Sequence, residues 1–293
     1  MGLWDKLQSL FSNEKLDVTA RFELLGEGFL GTMSKFHKVR ERRTNRILGL
    51  KICDPEKTEF FESRFRGLDK PSEGEIAAAL QHPRIVRTLE YGVTTKEQSY
   101  ILMEFLPGSG LHTLIRQRSD RLEGRRLELV RQMAEAVHAV HEAGYIHRDV
   151  CPRNFICSEE GSEIRLIDFG LTLPDKPAFR QPGNRTGTPM YMAPEIVRRR
   201  ATDLRVDIFA FGVSAYHLLT FEHPWPNNDY STGKGALAHD TDPPVPILEV
   251  RPQLQPVLAQ AVSDCLDPNR DLRPAGLDVF LKRIRKVESE EAT

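Results

Sequence analysis

The sequence predicts an α+β fold in two lobes, a small strand-rich N-terminal lobe and a larger helical C-terminal lobe. Residues from about 21 to 52 are predicted to form strands with a glycine-rich turn between two of them. From residue 129 to residue 140 apolar side chains recur at helical spacing, and Gly144 ends that pattern. A chain of 293 residues is long enough for two lobes that share a cleft, or for one large domain.

The composition is ordinary for a soluble globular protein, with 40% hydrophobic and 28% charged residues. Because 41 basic residues face 42 acidic ones, the net charge of -1 gives no support to a nucleic-acid partner. The four cysteines show neither a Cys-x-x-Cys pair nor zinc-site spacing. There is neither a secretory signal nor an apolar run long enough to span a bilayer. We therefore expect a cytoplasmic protein without a transmembrane segment.

Residues 1–15 are predicted to form an amphipathic N-terminal extension. The favoured interpretation is a short helix packed on the small lobe, and the alternative is a weak contact of residues 3–11 with a membrane or a partner. The apolar residues of the predicted helical face are Leu3, Trp4, Leu7, Leu10 and Phe11.

The small lobe is predicted to span residues 16–106. Its first distinctive feature is the glycine-rich turn between two predicted strands. Gly26, Gly28 and Gly31 lie in this turn, and glycines let backbone amide groups approach phosphates closely. The strand that follows ends at Lys51. This order of elements lacks the helix with which a dinucleotide-binding fold would continue.

Two further elements complete the small lobe. Residues 73–81 predict a helix that ends before Pro83, since the residue preceding a proline disfavours the helical conformation. Residues 100–106 form an apolar run that predicts a strand leading into Pro107 and Gly108.

The larger lobe is predicted over residues 107–285, followed by a frayed acidic tail over residues 286–293. Its distinctive feature is three short motifs in series. Residues 147–154 read His-Arg-Asp-Val-Cys-Pro-Arg-Asn, residues 168–170 read Asp-Phe-Gly, and residues 187–195 read Gly-Thr-Pro-Met-Tyr-Met-Ala-Pro-Glu. Each motif alone is a weak signal, but their order and spacing together are specific.

Together these motifs resemble the catalytic, metal-binding and substrate-binding loops of the eukaryotic-type (Hanks-type) serine/threonine protein kinases. With the upstream elements, the resemblance covers about residues 20 to 285. It implies the bilobal protein kinase fold and transfer of the ATP γ-phosphoryl group to Ser or Thr hydroxyls of protein substrates, with Mg²⁺ as the metal. Thr188 and Pro189 favour Ser or Thr over Tyr as the acceptor.

The resemblance assigns catalytic and metal-binding roles to individual residues. Asp149 would orient the attacking hydroxyl and accept its proton, and Asn154 with Asp168 would hold Mg²⁺. Lys51 would hold the α- and β-phosphates, paired with a glutamate of the following helix. Counting back from His82-Pro83 selects Glu73 as that glutamate, with Glu75 as the alternative. The remaining residues implied to bind nucleotide are Gly26, Gly28, Gly31, Met33, Gly49, Met103, Glu104, Leu106 and Ile156, with Met103 as gatekeeper and the Glu104 and Leu106 backbones holding adenine.

The sequence departs from the family pattern in the catalytic loop and in the activation segment. Cys151 stands where these kinases carry a lysine that steadies the γ-phosphate, and Arg153 either replaces that charge or contacts only substrate. The activation segment has Asn184 where a phosphorylated residue is usual. Thr186 and Thr172 are the candidate substitutes for that residue.

Three positions bear on the charge of the substrate. Gly110, Arg153 and His217 stand where arginine-seeking kinases carry acidic residues, so we expect no preference for basic residues before the acceptor.

Two other functional classes compete with an active kinase. A pseudokinase that serves as an ATP-binding or scaffold module is disfavoured by the presence of Lys51, Glu73, Asp149, Asn154 and Asp168 together. A small-molecule kinase is disfavoured by the substrate-binding motif over residues 187–195.

Overall fold

The computed structural model describes residues 15–31, 33–226, 228–229 and 235–292. The chain divides into two compact units, Met1–Gln81 with Val86–Leu106 and His82–Ile85 with Pro107–Thr293. The predicted N-terminal helix lies outside the described residues. The first unit is rich in strands and the second in helices, so the predicted α+β class is confirmed.

A single antiparallel sheet dominates the first unit, with strand order β1-β3-β4-β6-β5 and β2 paired to β3. β4 is buried along most of its length because β3 and β6 flank it on both sides. The strands are β1 (Phe22–Leu24), β2 (Phe29–Leu30), β3 (Ser34–Glu41), β4 (Ile47–Cys53), β5 (Thr88–Val93) and β6 (Ser99–Glu104), and the helices are α1 (Val18–Arg21), α2 (Pro55–Glu62) and α3 (Glu73–Ala79).

One face of this sheet carries a compact apolar core. Alternation along β3 directs every second side chain inward, as expected for a strand with one buried face. The core consists of Leu16, Phe22, Val39, Leu48, Leu50, Tyr100 and Leu102.

Helix α3 begins with a capping box. Ser72 accepts a hydrogen bond from the Glu75 backbone N–H, and the Glu75 carboxylate accepts one in return from the Ser72 N–H. Gly74 allows this helix to lie against β5, because an added Cβ would stand 2.7 Å from the Cβ of Tyr91. No local pattern in the sequence predicts this packing role for Gly74, because Tyr91 lies on a separate strand.

The second unit is built around two long helices, α5 (Arg126–Glu142) and α7 (Arg205–Thr220). α7 is buried on nearly all sides, and α5 has one buried face, as its apolar spacing predicts. The other helices are α4 (Leu111–Arg116), α6 (Pro194–Val197), α8 (Ala238–Thr241), α9 (Ile247–Val250), α10 (Pro256–Cys265) and α11 (Leu277–Ile284), and the strands are β7 (Ser109–Gly110), β8 (Tyr145–Ile146), β9 (Phe155–Cys157), β10 (Ile164–Leu166) and β11 (Leu173–Pro174).

The acidic C-terminal tail, predicted to be frayed over residues 286–293, is docked along its described part, residues 286–292. Glu290 is only 7% exposed, and its carboxylate lies 3.2 Å from the Arg251 guanidinium and 3.3 Å from that of Arg126. Glu291 forms an isolated antiparallel bridge with Leu254. The buried Arg251 and the half-buried Arg126 therefore hold a segment whose composition alone suggests solvation.

Candidate active site

Within the first unit, Lys51 forms an ion pair with Glu73. Lys51 is 6% exposed and lies on β4, while Glu73 opens α3. Glu75, the alternative partner, is occupied by the capping box instead. The pairing of Lys51 with Glu73 is therefore confirmed, while the phosphate-binding role of the lysine stays a prediction.

The glycine-rich turn connects β1 to β3 through the short strand β2. Gly26 has a φ of +93°, and the Gly31 N–H donates to the Ser34 carbonyl at 2.8 Å. The side chains of Phe29 and Leu30 are 73% and 83% exposed. Met33 follows directly, and its carbonyl accepts a hydrogen bond from the Asp54 N–H at 2.9 Å.

Gly49 leaves room for two neighbouring side chains. It lies opposite Met103 of β6, and an added Cβ would stand 2.8 Å from the Phe36 ring and 3.1 Å from the Met103 side chain. The Phe36 ring thus lies where a side chain at position 49 would begin. The neighbouring Glu104 pairs with Arg87 through backbone and side chain, and Leu106 is half-buried just beyond the end of β6.

In the second unit, the catalytic-loop backbone is held by Asp207 of α7. The Asp207 carboxylate is fully buried and accepts hydrogen bonds from the His147 N–H at 2.7 Å and the Arg148 N–H at 2.8 Å. His141 of α5 lies 3.0 Å away. Burial opposes ionisation of this carboxyl, but the contact with His141 and the backbone donors outweigh it and keep its pKa below the ordinary value.

Asp149 is fixed by three donors from two sides. Its Oδ1 accepts from the Thr188 N–H and the Thr188 hydroxyl, both at 2.8 Å, and its Oδ2 accepts from the Asn154 amide nitrogen at 3.0 Å. The same amide nitrogen donates to the Asp149 carbonyl. The carboxylate thus links the catalytic loop to the loop that begins at Gly187, in an orientation set by both.

Asp168 occupies a left-handed backbone conformation with φ of 66°, and its carboxylate accepts a hydrogen bond from the Gly170 N–H at 3.1 Å. Phe169 is buried and meets the His147 ring edge-on at 5.5 Å between centroids. Aspartate tolerates this conformation better than most residues. Burial of Phe169 against the catalytic loop therefore fixes the position of the Asp168 backbone.

Cys151 supplies no charge to the catalytic loop. Its side chain is 1% exposed, and its sulfur lies 3.9 Å from the Thr188 hydroxyl. Burial and the nearby Asp149 carboxylate raise the pKa of the thiol to about 12, so it stays neutral. Arg153, in the 3₁₀ turn Pro152–Asn154, is exposed and forms no ion pair with any described residue. Ile156 follows on β9, opposite Gly110.

Arg148 holds the activation segment through uncharged groups. Its buried guanidinium donates to the Thr202 hydroxyl and to the Asn184 carbonyl, both at 3.1 Å. Burial lowers its pKa to about 10 although Asp207 opposes that shift, so it remains a cation. Thr172 is completely buried and hence inaccessible to a modifying enzyme, whereas Thr186 is half-buried and donates to the Asn184 side chain.

Glu195 forms a bidentate pair with Arg273. The two guanidinium–carboxylate distances are 2.8 and 2.9 Å, and both side chains are buried. Arg273 also donates to the Asp267, Arg205 and Pro268 carbonyls, so all five of its guanidinium hydrogens are used. This pair anchors the end of the loop that contacts Asp149.

A protein kinase domain model matches residues 20–283, which is most of the chain. The chain belongs to the protein kinase family. Among its relatives, the serine/threonine-protein kinase pkn3 of Myxococcus xanthus is 30% identical over 282 residues, covering 91% of this kinase and 49% of that protein. The serine/threonine-protein kinase PknB of Mycolicibacterium smegmatis is 30% identical over 293 residues, which cover 94% of this chain and 44% of that protein. The kinase therefore spans about half the length of these curated relatives or less.

Three histidines hold consecutive residues of the loop that begins at Gly187, which is a role that the sequence does not predict for them. His223 bonds the Met190 carbonyl at 2.9 Å, His217 contacts the Tyr191 hydroxyl at 3.2 Å, and His239 bonds the Met192 carbonyl at 2.7 Å. They come from α7, the segment after it and α8. Because the loop and the histidines are separated by 26 to 47 positions, no motif in the sequence predicts these contacts.

Within the described ranges of the kinase, no helix has the length and apolar character needed to cross a membrane.

Proposed function

We propose that this protein is a serine/threonine protein kinase that transfers the γ-phosphoryl group of ATP to Ser or Thr hydroxyls of protein substrates. The observation that carries the proposal is Asp149, whose carboxylate is oriented by Thr188 on one side and Asn154 on the other. A single fixed carboxylate with a neighbouring substrate-binding loop suits activation of a hydroxyl nucleophile.

In the proposed reaction the acceptor hydroxyl oxygen attacks the γ-phosphorus while the bond to the β–γ bridging oxygen breaks. The hydroxyl proton passes to the Asp149 carboxylate, and ADP leaves with the bridging oxygen. The hydrogen bonds that Asp149 accepts fix the orientation of its carboxylate. The protein's main contribution is thus positioning and control of charge.

The donor set in the second unit suits Mg²⁺. The Asn154 amide nitrogen is committed to Asp149, so its oxygen is the atom left for a ligand, and Asp168 offers a carboxylate. Hard oxygen donors of this kind are typical of magnesium sites completed by phosphates and water. The described residues contain no cluster of three or more His, Cys, Asp or Glu able to hold a metal alone, which accords with that mode of binding. When bound, Mg²⁺ would neutralise phosphate charge.

We assign nucleotide contacts in the first unit to the glycine-rich turn, to Lys51 and to the strand that ends at Glu104. The Lys51 ammonium is held by Glu73 in a fixed position from which it can neutralise phosphate oxygens. We also propose a cytoplasmic location, which accords with four buried free cysteines. The pseudokinase alternative gains no support, since both the ion pair and the oriented carboxylate are intact.

Transfer of ³²P from Mg-ATP to a panel of generic proteins tests the proposal. We expect label on protein that is stable to acid, with phosphoserine or phosphothreonine in the hydrolysate. A chain that binds Mg-ATP but labels no protein, peptide or itself would favour the pseudokinase. Label found only on small molecules would exclude the proposed substrate class.

A further inference from the structure

Two arginines beside the catalytic loop lack ion-pair partners. Arg153 and Arg116 are both exposed and form no ion pair or hydrogen bond through their guanidinium groups with any described residue. Other arginines of this unit, such as Arg205, Arg251 and Arg273, are paired with carboxylates. Arg153 and Arg116 differ from these arginines because they lack a carboxylate partner, and both lie near the catalytic loop.

The backbone brings these two arginines to one surface. β7 pairs with β9, so that Gly110 lies opposite Ile156, and α4 begins directly after Gly110. α4 packs against the 3₁₀ turn that contains Arg153. The two elements thus place α4 and the catalytic loop side by side.

His112 of α4 responds to both cations. Burial, and then the charges of Arg153 and Arg116, lower its pKa. His217 contributes no charge at neutral pH, because burial and the nearby His223 and His112 lower its pKa to about 4. We define Arg116 and Arg153 as the cationic surface.

Like charges held together on a protein surface raise the local potential and favour an anionic ligand. The cationic surface shares its 3₁₀ turn with Asn154, which contacts Asp149. A peptide whose hydroxyl reaches Asp149 therefore places its neighbouring residues near this surface.

We propose that the cationic surface selects acceptor sites flanked by anionic residues. This inference rests on the proposed kinase function and names the substrate class of that site. The recognising chemistry is a carboxylate or phosphate on the substrate, and the two sources are separable by experiment. Arginine-flanked acceptors should be disfavoured by the same field.

The test compares kcat/KM of the full chain on four peptides with one core sequence and one acceptor serine. The flanking residues are alanine, glutamate, phosphoserine or arginine. We expect the glutamate or phosphoserine peptide to exceed the alanine peptide by about 5-fold, the size of a good exposed ion pair, and the arginine peptide to fall below it. The better of the two anionic peptides identifies the source of the charge. High salt, about 0.5 M, should shrink the preference.

Charge-removing variants locate the effect. Arg116→Gln should reduce the ratio of anionic to neutral peptide, and the Arg116→Gln/Arg153→Gln double variant should bring it close to one. Arg285→Gln is the matched control, since Arg285 is also exposed and unpaired among the described residues but follows α11. In Gly110→Glu the new side chain meets open space, because an added Cβ has no atom within 4 Å, and it should shift preference toward the arginine peptide.

Three outcomes would overturn the inference: selection for arginine, an unchanged ratio in the double variant, or an equal loss of kcat on all peptides in Arg153→Gln. The last result would place Arg153 on the transferred phosphoryl group instead. If the neutral peptide is phosphorylated without any charge preference, only this inference fails. If no peptide or protein is phosphorylated, the proposed function itself fails.

Discussion

Acid should loosen the substrate-binding loop through its histidines. His239 is 1% exposed, donates from Nδ1 to the Met192 carbonyl, and packs against Trp225 with 4.4 Å between the ring centroids. Burial lowers its pKa from 6.5 to about 4, although the Met192 contact opposes that shift. The neutral ring is therefore the form that the folded protein prefers.

The sign and size of the effect follow from this shift. A group whose folded pKa lies below its unfolded pKa contributes full stability above the unfolded value and loses it as pH falls toward the folded value. Between pH 7.5 and pH 5 the loss for one such histidine is about 2 kcal/mol. The pKa of His217 is also lowered to about 4, so this second histidine should double the loss of folding stability. A total of about 4 kcal/mol is a large share of ordinary folding stability.

Urea unfolding at pH 7.5 and pH 5 measures this loss. The sequence has two tryptophans, so a Trp4→Phe background leaves Trp225 as the fluorescent probe beside His239. His239→Gln keeps an amide donor for the Met192 carbonyl but cannot titrate. We expect this variant to lose about 2 kcal/mol less than its parent between the two pH values.

The comparison between variant and parent cancels every other group that titrates in this range. An equal loss of stability in His239→Gln and in its parent would refute the reasoning. It would mean that His239 is not held neutral by burial, or that its contact with the loop carries no free energy.

Three further predictions concern packing, charge and thiols. Gly74→Ala should destabilise the protein by about 1 to 3 kcal/mol in urea unfolding, because the new Cβ would overlap the Tyr91 side chain. Arg273→Met should cost about 3 to 5 kcal/mol in the same assay, since it leaves the Glu195 carboxylate buried without its cation. Iodoacetamide at pH 7.5 should label no cysteine in the native protein but all four in urea, because all four are buried in the fold and the pKa of Cys151 is raised to about 12. Mass spectrometry reads the labelling, and a labelled cysteine in the native protein would contradict this prediction.

Much of the first unit was predictable because its signals are local. Strand alternation and a glycine-rich turn predict the antiparallel sheet, and the position of Pro83 predicts where α3 ends. The sequence does not decide between Glu73 and Glu75, because two positions in the first turn of the same helix carry the same residue type. The capping box decides it, since Ser72 engages Glu75 and leaves Glu73 for Lys51.

The features that the sequence did not predict depend on contacts between distant segments. Gly49 has no side chain to collide with the Phe36 ring, which belongs to the neighbouring strand β3. The composition of the C-terminal tail suggests a solvated segment, but Arg126 and Arg251 both form ion pairs with Glu290. Composition and periodicity describe a segment by itself, so they do not report partners that only the fold supplies.

The central claim is that Asp149 is the base of a phosphoryl transfer. Asp149→Asn keeps the size of the side chain but removes the proton acceptor. The assay measures ³²P transfer from Mg-ATP to a protein substrate, together with ATP binding by calorimetry. We predict a loss of at least about 10²-fold in the transfer rate with ATP binding largely retained. Near-wild-type transfer by Asp149→Asn would contradict the account.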